Sequence, residues 1–304
     1  MASVLITGTS KGIGLETALV FGRAGYKVHA TMRNPSQAPL LAQRAAREKL
    51  PITVSVMDVD SDQSVAAAIA RILKDHGPID VLVNNAGVER AGSVEEQPLA
   101  DFRAVMETNY FGVIRCIQAL APHMRKRGSG CIINLSSVAG RIACAPLTSY
   151  HASKWALEAL SEALAGEMKT FNVRVAIVEP GIIDTAMAQR IGDQPNQSPY
   201  QQGARFASLF VASLKAPTPP SLVAEKILEI AESGTWQLRH PVGPTAIPFL
   251  QWRGQMTDEE WVGLNASDDE TWYRRMERDF GLDTRPKKLA YAASPSLRRD
   301  PLDR

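Results

Sequence analysis

Ser3-Val-Leu-Ile-Thr7, running directly into Gly8-Thr-Ser-Lys-Gly12-Ile-Gly14, is the stretch whose reading decides the fold. Its first half is a short apolar run with strand character, and its second half turns on three glycines. A helical spacing of Ile13, Thr17, Val20 and Phe21 follows and closes at Gly25. Strand, glycine-rich turn and helix, in that order, let backbone amides come close to a pyrophosphate at a helix N-terminus, where the dipole favours an anion. A tight turn that holds nothing has the same composition, and the spacing Gly-x-x-x-Gly-x-Gly differs from the commoner Gly-x-Gly-x-x-Gly. The rest of the chain has to separate the two readings.

Further apolar runs read as strands at Lys27–Thr31, Ile52–Met57, Ile79–Val83, Gly130–Leu135 and Asn172–Glu179. Helical patterns lie between them: residues 37–50, a helix capped by Asp60 and Ser61 and ending at His76-Gly77, one from about Leu99 to Met124, and one carrying Tyr150 as far as Met168. Six strand–helix alternations without a hairpin predict an α/β fold: a doubly wound parallel sheet (Rossmann fold) with helices on both faces. A helix near Leu222–Ser233 and a strand at Trp236–Arg239 complete a catalytic and dinucleotide-binding domain over residues 1–240. From Ala186 to Pro220 the pattern breaks into Gly, Pro, Gln and Asn mixed with Met187, Tyr200, Phe206, Leu209 and Phe210, which reads as an irregular substrate lid. Residues 241–304 read as a short helical extension packing on the core or on a neighbouring subunit. Within it Thr257-Asp-Glu-Glu260 and Ser267-Asp-Asp-Glu270 each read as a capping box, and Gly281 as a helix stop. The basic last twenty residues read as loosely held.

The composition suits a globular protein: 45% of the 304 residues are hydrophobic and 22% charged, enough for a core that needs no covalent staple. A net charge of +2 is too small to argue for nucleic acid or an acidic membrane, and neither is expected as a partner. Cys116, Cys131 and Cys144 form no Cys-x-x-Cys pair, and no apolar run approaches membrane-span length, so a cytoplasmic protein with reduced thiols is expected. The five histidines show no ligand spacing, and no metal is expected.

Tyr150 and Lys154 stand at i and i+4, which places both on one helix face. A phenol titrates near ~10, and a neighbouring ammonium is expected to lower that value. Ser137 could then hold a substrate oxygen between its hydroxyl and the phenol. The second strand is followed by Met32-Arg33-Asn34, with no carboxylate for the adenosine ribose; Arg33 and Lys11 suit a ribose 2′-phosphate instead. Asn84 and Asn85 are placed to pin neighbouring backbone at a strand end. Asn109, in mid-helix, is either a tolerated surface residue or a local distortion, and taken alone it reads as the former. His151 neighbours Tyr150 but points about 100° away, so it reads as a packing residue. Cys144 has no paired base to make it a nucleophile.

Taken in order, Thr7-Gly8-x-x-x-Gly12-x-Gly14, Asn84-Asn85-Ala86-Gly87, Asn109, Ser137, Tyr150-x-x-x-Lys154 and Pro180-Gly181 resemble the short-chain dehydrogenase/reductase family, single-domain type, over about residues 1–240. The stretch Tyr-His-Ala-Ser-Lys-Trp-Ala-Leu looks most like its hydroxysteroid and retinol dehydrogenase members. The resemblance implies catalysis by Asn109, Ser137, Tyr150 and Lys154, with Tyr150 as general acid/base and Lys154 on the nicotinamide ribose. Asn109 is implied to keep a helix kink and a water. Cofactor contacts are implied for Gly8, Ser10, Lys11, Gly12, Ile13, Gly14, Arg33, Asp58, Val59, Asn85, Ala86, Gly87, Pro180, Gly181, Ile183 and Thr185, the cofactor being NADP(H) in preference to NAD(H). Val138, Ala143, Cys144, Leu147 and Met187 are expected to line an apolar pocket for a steroid-, retinoid- or aryl-ketone-like substrate. A homodimer or homotetramer is expected. An NAD-dependent secondary-alcohol dehydrogenase and a non-catalytic dinucleotide sensor are the alternatives.

Overall fold

Val4 and Ile6 face one side of the first strand and Leu5 the other, and all three are fully buried. A strand covered on both faces belongs inside a parallel sheet with helices above and below. The computed structural model describes residues 1–192 and 198–285. Its strands β1 (Ser3–Thr7), β2 (Lys27–Met32), β3 (Ile52–Val56), β4 (Val81–Asn84), β5 (Gly130–Leu135), β6 (Val173–Pro180) and β7 (Arg239–Val242) form one parallel sheet in the order β3-β2-β1-β4-β5-β6-β7. The order reverses between β1 and β4. In such sheets the crevice beyond the strand C-termini at that switch point is where ligands sit.

One face is covered by α1 (Gly12–Arg23), α2 (Leu40–Glu48) and α9 (Pro220–Ser233), with Leu15, Leu19, Phe21 and Ile227 packed on Val4, Ile6 and Val28. The other carries α3 (Asp62–His76), α5 (Gly112–Arg127) and α6 (Thr148–Lys169), where Ile69, Leu120 and Leu157 meet Leu5, Leu82 and Ile132. Of the strand-end amides Asn85 pins backbone, whereas Asn84 donates to the Asn134 side chain at 2.8 Å. Asn85 Nδ2 donates to the carbonyls of Thr7 (2.8 Å) and Gly8 (3.0 Å), and the Thr7 hydroxyl accepts from the amides of Asn85 (3.0 Å) and Ala86 (2.9 Å). Gly8 has φ +71°, and a Cβ there would stand 2.7 Å from Ala86 Cα, so no side chain fits.

Several expectations are corrected. The segment read as irregular contains two helices, α7 (Ala186–Gly192) and α8 (Gln202–Ser213), with residues 193–197 outside the described part. Phe206, Leu209 and Phe210 recur at helical spacing, but the Gly, Pro and Gln around them masked it. The last strand lies three residues later than Trp236–Arg239, because Pro241 reads as a strand breaker. On the edge strand β7 its missing N–H costs less than in a central strand. The boundary at residue 240 therefore falls inside β7. Ser61 caps α3, accepting from Ser64 N, while Asp60 instead receives the Thr108 hydroxyl at 3.0 Å.

In the extension an unforeseen helix α10 (Ala246–Gly254) precedes α11 (Asp258–Asn265) and α12 (Asp269–Phe280). The Thr257–Glu260 box forms. The second box does not: Ser267 donates to the Leu264 carbonyl, and Asp268 takes the cap of α12. Gly281 ends α12 at φ +66°. Trp252, Trp272 and Phe280 of this extension pack with Leu209 of α8. The basic terminal residues lie outside the described part, save Arg285.

Candidate active site

The N-terminus of α1 opens beside the β1–β4 switch point. No side chain caps it, so its first amides keep free donors toward the crevice. Gly12 holds φ +58°, the backbone needed to turn strand into helix here. The cavity starts at Gly8, Ser10, Lys11, Gly12, Ile13 and Gly14 and passes Arg33, Asp58 and Val59. It continues along Asn85, Ala86 and Gly87 to Ser137, Tyr150, Lys154, Pro180, Gly181, Ile183 and Thr185. The residues implied for cofactor contact thus share one surface. Arg33 is 60% exposed and 4.0 Å from Asp60 Oδ2, a loose pairing that leaves its guanidinium open to the cavity.

β5 delivers Ser137, whose hydroxyl accepts from Ala139 N at 3.1 Å and donates to the Pro180 carbonyl at 3.3 Å, and which lines the same cavity as Tyr150. One turn along α6 from Tyr150, the Lys154 ammonium donates to the Leu135 carbonyl at 2.7 Å and lies 5.6 Å from the phenol ring centroid. Asn109 is buried, which corrects its reading as a surface residue. It sits in a π-helical turn, Glu107–Phe111, between α4 (Leu99–Met106) and α5. Its Oδ1 accepts from Val88 N at 2.8 Å, and its Nδ2 donates to Val88 O and Ser153 Oγ, both at 2.9 Å. The odd helix residue is therefore a brace between the strand-end loop and the tyrosine helix.

A profile described as short chain dehydrogenase matches residues 2–196. The chain belongs to the short-chain dehydrogenase family. It is 34% identical over 269 residues to an oxidoreductase of Botryotinia fuckeliana (strain B05.10), covering 86% of this chain and 97% of that one. It is 39% identical over 203 residues to retinol dehydrogenase 8 of Bos taurus, covering 65% and 64%. Among solved structures, gluconate 5-dehydrogenase from Burkholderia cenocepacia J2315, in complex with NADP and tartrate, matches with a TM-score of 0.69 at 27% identity, over 81% of this chain and 95% of that one. This short-chain dehydrogenase is accordingly an oxidoreductase of CH–OH or carbonyl groups.

The electrostatics of the pair differ from the expected acidified phenol. Burial pushes Tyr150 up to about 12, the Glu89 charge adds to the rise, and the Ser137 hydrogen bond opposes it. Burial pulls Lys154 down to about 8, against the charge of Glu158. Desolvation is the largest cause for both groups: the ammonium's hydrogen bond goes to the Leu135 carbonyl, and it lies 5.6 Å from the centre of the phenol ring. Cys144 is pushed up to about 12 and His151 down to about 4, both by burial, so the pair, 4.0 Å apart, is a neutral thiol and a neutral imidazole.

Val138, Cys144, Leu147 and Met187 also line the cavity. Ala143 does not: it is exposed, and its carbonyl accepts from Trp261 Nε1 at 3.0 Å. Sequence reasoning missed Glu89, buried and receiving Arg190 Nη2 of α7 at 3.0 and 3.2 Å, although it follows Gly87 closely at the strand end. It also missed Arg205. The concentration of Trp252, Trp261 and Trp272 in the extension reads as a packing surface, at the substrate mouth or on a neighbouring subunit, and all three line this cavity together with Leu264.

Proposed function

We propose that this chain is an NADP(H)-dependent oxidoreductase that interconverts a hydrophobic ketone and its secondary alcohol, steroid-, retinoid- or aryl-ketone-like, with Tyr150 as general acid/base. The observation that carries the reading is a phenol sharing one cavity wall with Ser137, one turn from the Lys154 ammonium, in the same cavity as the uncapped end of α1.

The residues fit a dinucleotide. Free amides at the α1 terminus suit a pyrophosphate, and Lys11 and the exposed Arg33 suit a 2′-phosphate. Asn85 to Gly87 and Asp58 would take the adenosine side, and Pro180 to Thr185 the carboxamide. When bound, such a group supplies or takes the hydride. The bound NADP of the gluconate 5-dehydrogenase supports the choice of cofactor.

The proton belongs to the chain. A phenol held neutral by burial is an acid at physiological pH, and in reduction it donates to the carbonyl oxygen while the Ser137 hydroxyl polarises the same atom. The Lys154 cation one turn away then stabilises the phenolate left behind. Asn109 holds the loop and helix in register through Val88 and Ser153. The apolar pocket residues exclude water and favour an apolar substrate body. Phe111 of the π turn and Trp155 of α6 are both exposed, which supports a homodimer or homotetramer through these helices.

NADPH and NADH consumption with a panel of bulky ketones tests the reading. Turnover with NADPH is expected, and Tyr150→Phe is expected to lose at least ~10²–10⁴ in kcat. Unchanged turnover in that variant refutes the assignment, and equal use of NADH refutes the cofactor choice.

A further inference from the structure

Arg205 lies in the first turn of α8 and is 3% exposed. Its Nε donates to Asp269 Oδ1 at 2.6 Å, and its Nη2 donates to Gln201 Oε1 at 3.1 Å and the Ser267 carbonyl at 2.7 Å. These bonds fasten the lid helix to the start of α12. The remaining nitrogen, Nη1, is buried with no acceptor. The same residue forms part of the cavity wall, among Gln202, Phe206, Leu264 and Trp272.

An unpaired N–H of a charged group inside an apolar wall is a costly arrangement that a native core rarely keeps without a use. We propose that Arg205 Nη1 anchors an oxygen acceptor at the end of the substrate remote from the reacting carbonyl. This inference deepens the reading of the cavity as a ketone site and rests on it. Asp269 already balances the guanidinium charge, so a neutral hydroxyl or keto oxygen satisfies Nη1 as well as a carboxylate does. Arg205 and Tyr150 line that cavity from different helices, α8 and α6. Tyr150 contacts His151 with ring centroids 6.4 Å apart, and His151 contacts Phe206, the neighbour of Arg205, at 6.5 Å. The substrate is then a long apolar body with oxygen at both ends: one reduced, one held.

The cavity-lining tryptophans Trp252, Trp261 and Trp272 report occupancy by fluorescence quenching, without any need for turnover. Three probes suffice: an aryl methyl ketone with a hexyl chain, and the same ketone with that chain ending in a hydroxyl or in a carboxylate. The wild-type protein is expected to bind at least one oxygen-ended probe about tenfold more tightly than the hydrocarbon-ended one. Which of the two gains identifies the oxygen as neutral or anionic. The preference should vanish in Arg205→Met and persist in Asp269→Asn, which loosens the fastening but leaves Nη1. Equal wild-type affinity for all three probes, no quenching by any, or a preference that survives Arg205→Met overturns the anchor. Preferential binding without NADPH consumption would instead sink the reductase reading and leave the anchor standing.

Discussion

Lys154 carries a cost that can be measured separately from its role in turnover. Its ammonium is buried, and burial takes it from the ordinary 10.5 down to about 8. In the unfolded chain the same amine keeps its proton to higher pH. Between those two values the unfolded state therefore binds more protons than the native one, and this group makes folding more favourable as pH rises. The depression corresponds to about 3 kcal/mol, gained progressively from about pH 8 to about pH 10.5. Other groups titrate in the same window. Burial holds Cys116, Cys131 and Cys144 at about 12, 11 and 12, and Tyr150 at about 12, which makes folding less favourable at high pH. Comparing the wild type with Lys154→Met cancels them. Urea unfolding at a series of pH values, followed by tryptophan fluorescence, should show the wild type gaining about 3 kcal/mol on the variant between pH 8 and 10.5. A difference that stays flat, or shrinks, across that range refutes the placement of a desolvated ammonium at the Leu135 carbonyl.

Arg33→Ala should raise the KM for NADPH about tenfold while leaving that for NADH within about twofold, measured by initial rates. Equal effects on both would remove the 2′-phosphate role. Asn109→Leu strips partners from Val88 N, Val88 O and Ser153 Oγ and should cost about 3 kcal/mol in urea unfolding. A loss below about 0.5 kcal/mol would show that the brace does not matter.

The sheet and its crevice were legible because β1, its glycine turn and α1 agree at every level, from burial pattern to helix start. Ser137, Tyr150 and Lys154 were legible because two of them share a helix turn and the third ends a strand. The sign of the phenol shift was not, since spacing gives proximity but not desolvation, and here burial is the larger effect. Arg205 and Glu89 were not legible because each meets the cavity through partners distant in sequence: Asp269 for one, Arg190 for the other. The π turn at Asn109 was half visible, as an unfavourable helix residue whose partners, Val88 and Ser153, no local pattern names.

The indole of Trp261, resting on the carbonyl of Ala143, joins the far end of the chain to the loop strung between Ser137 and Tyr150. The family model ends at residue 196, and this strut reaches back into it from Trp261, beyond that end. A guest wide enough to lift that indole also tugs the loop bearing Ile142 and Cys144, and the doorway and the workbench move together. Exchanging the tail alone is thus expected to change both the taste in cargo and the support of the loop that leads to Tyr150.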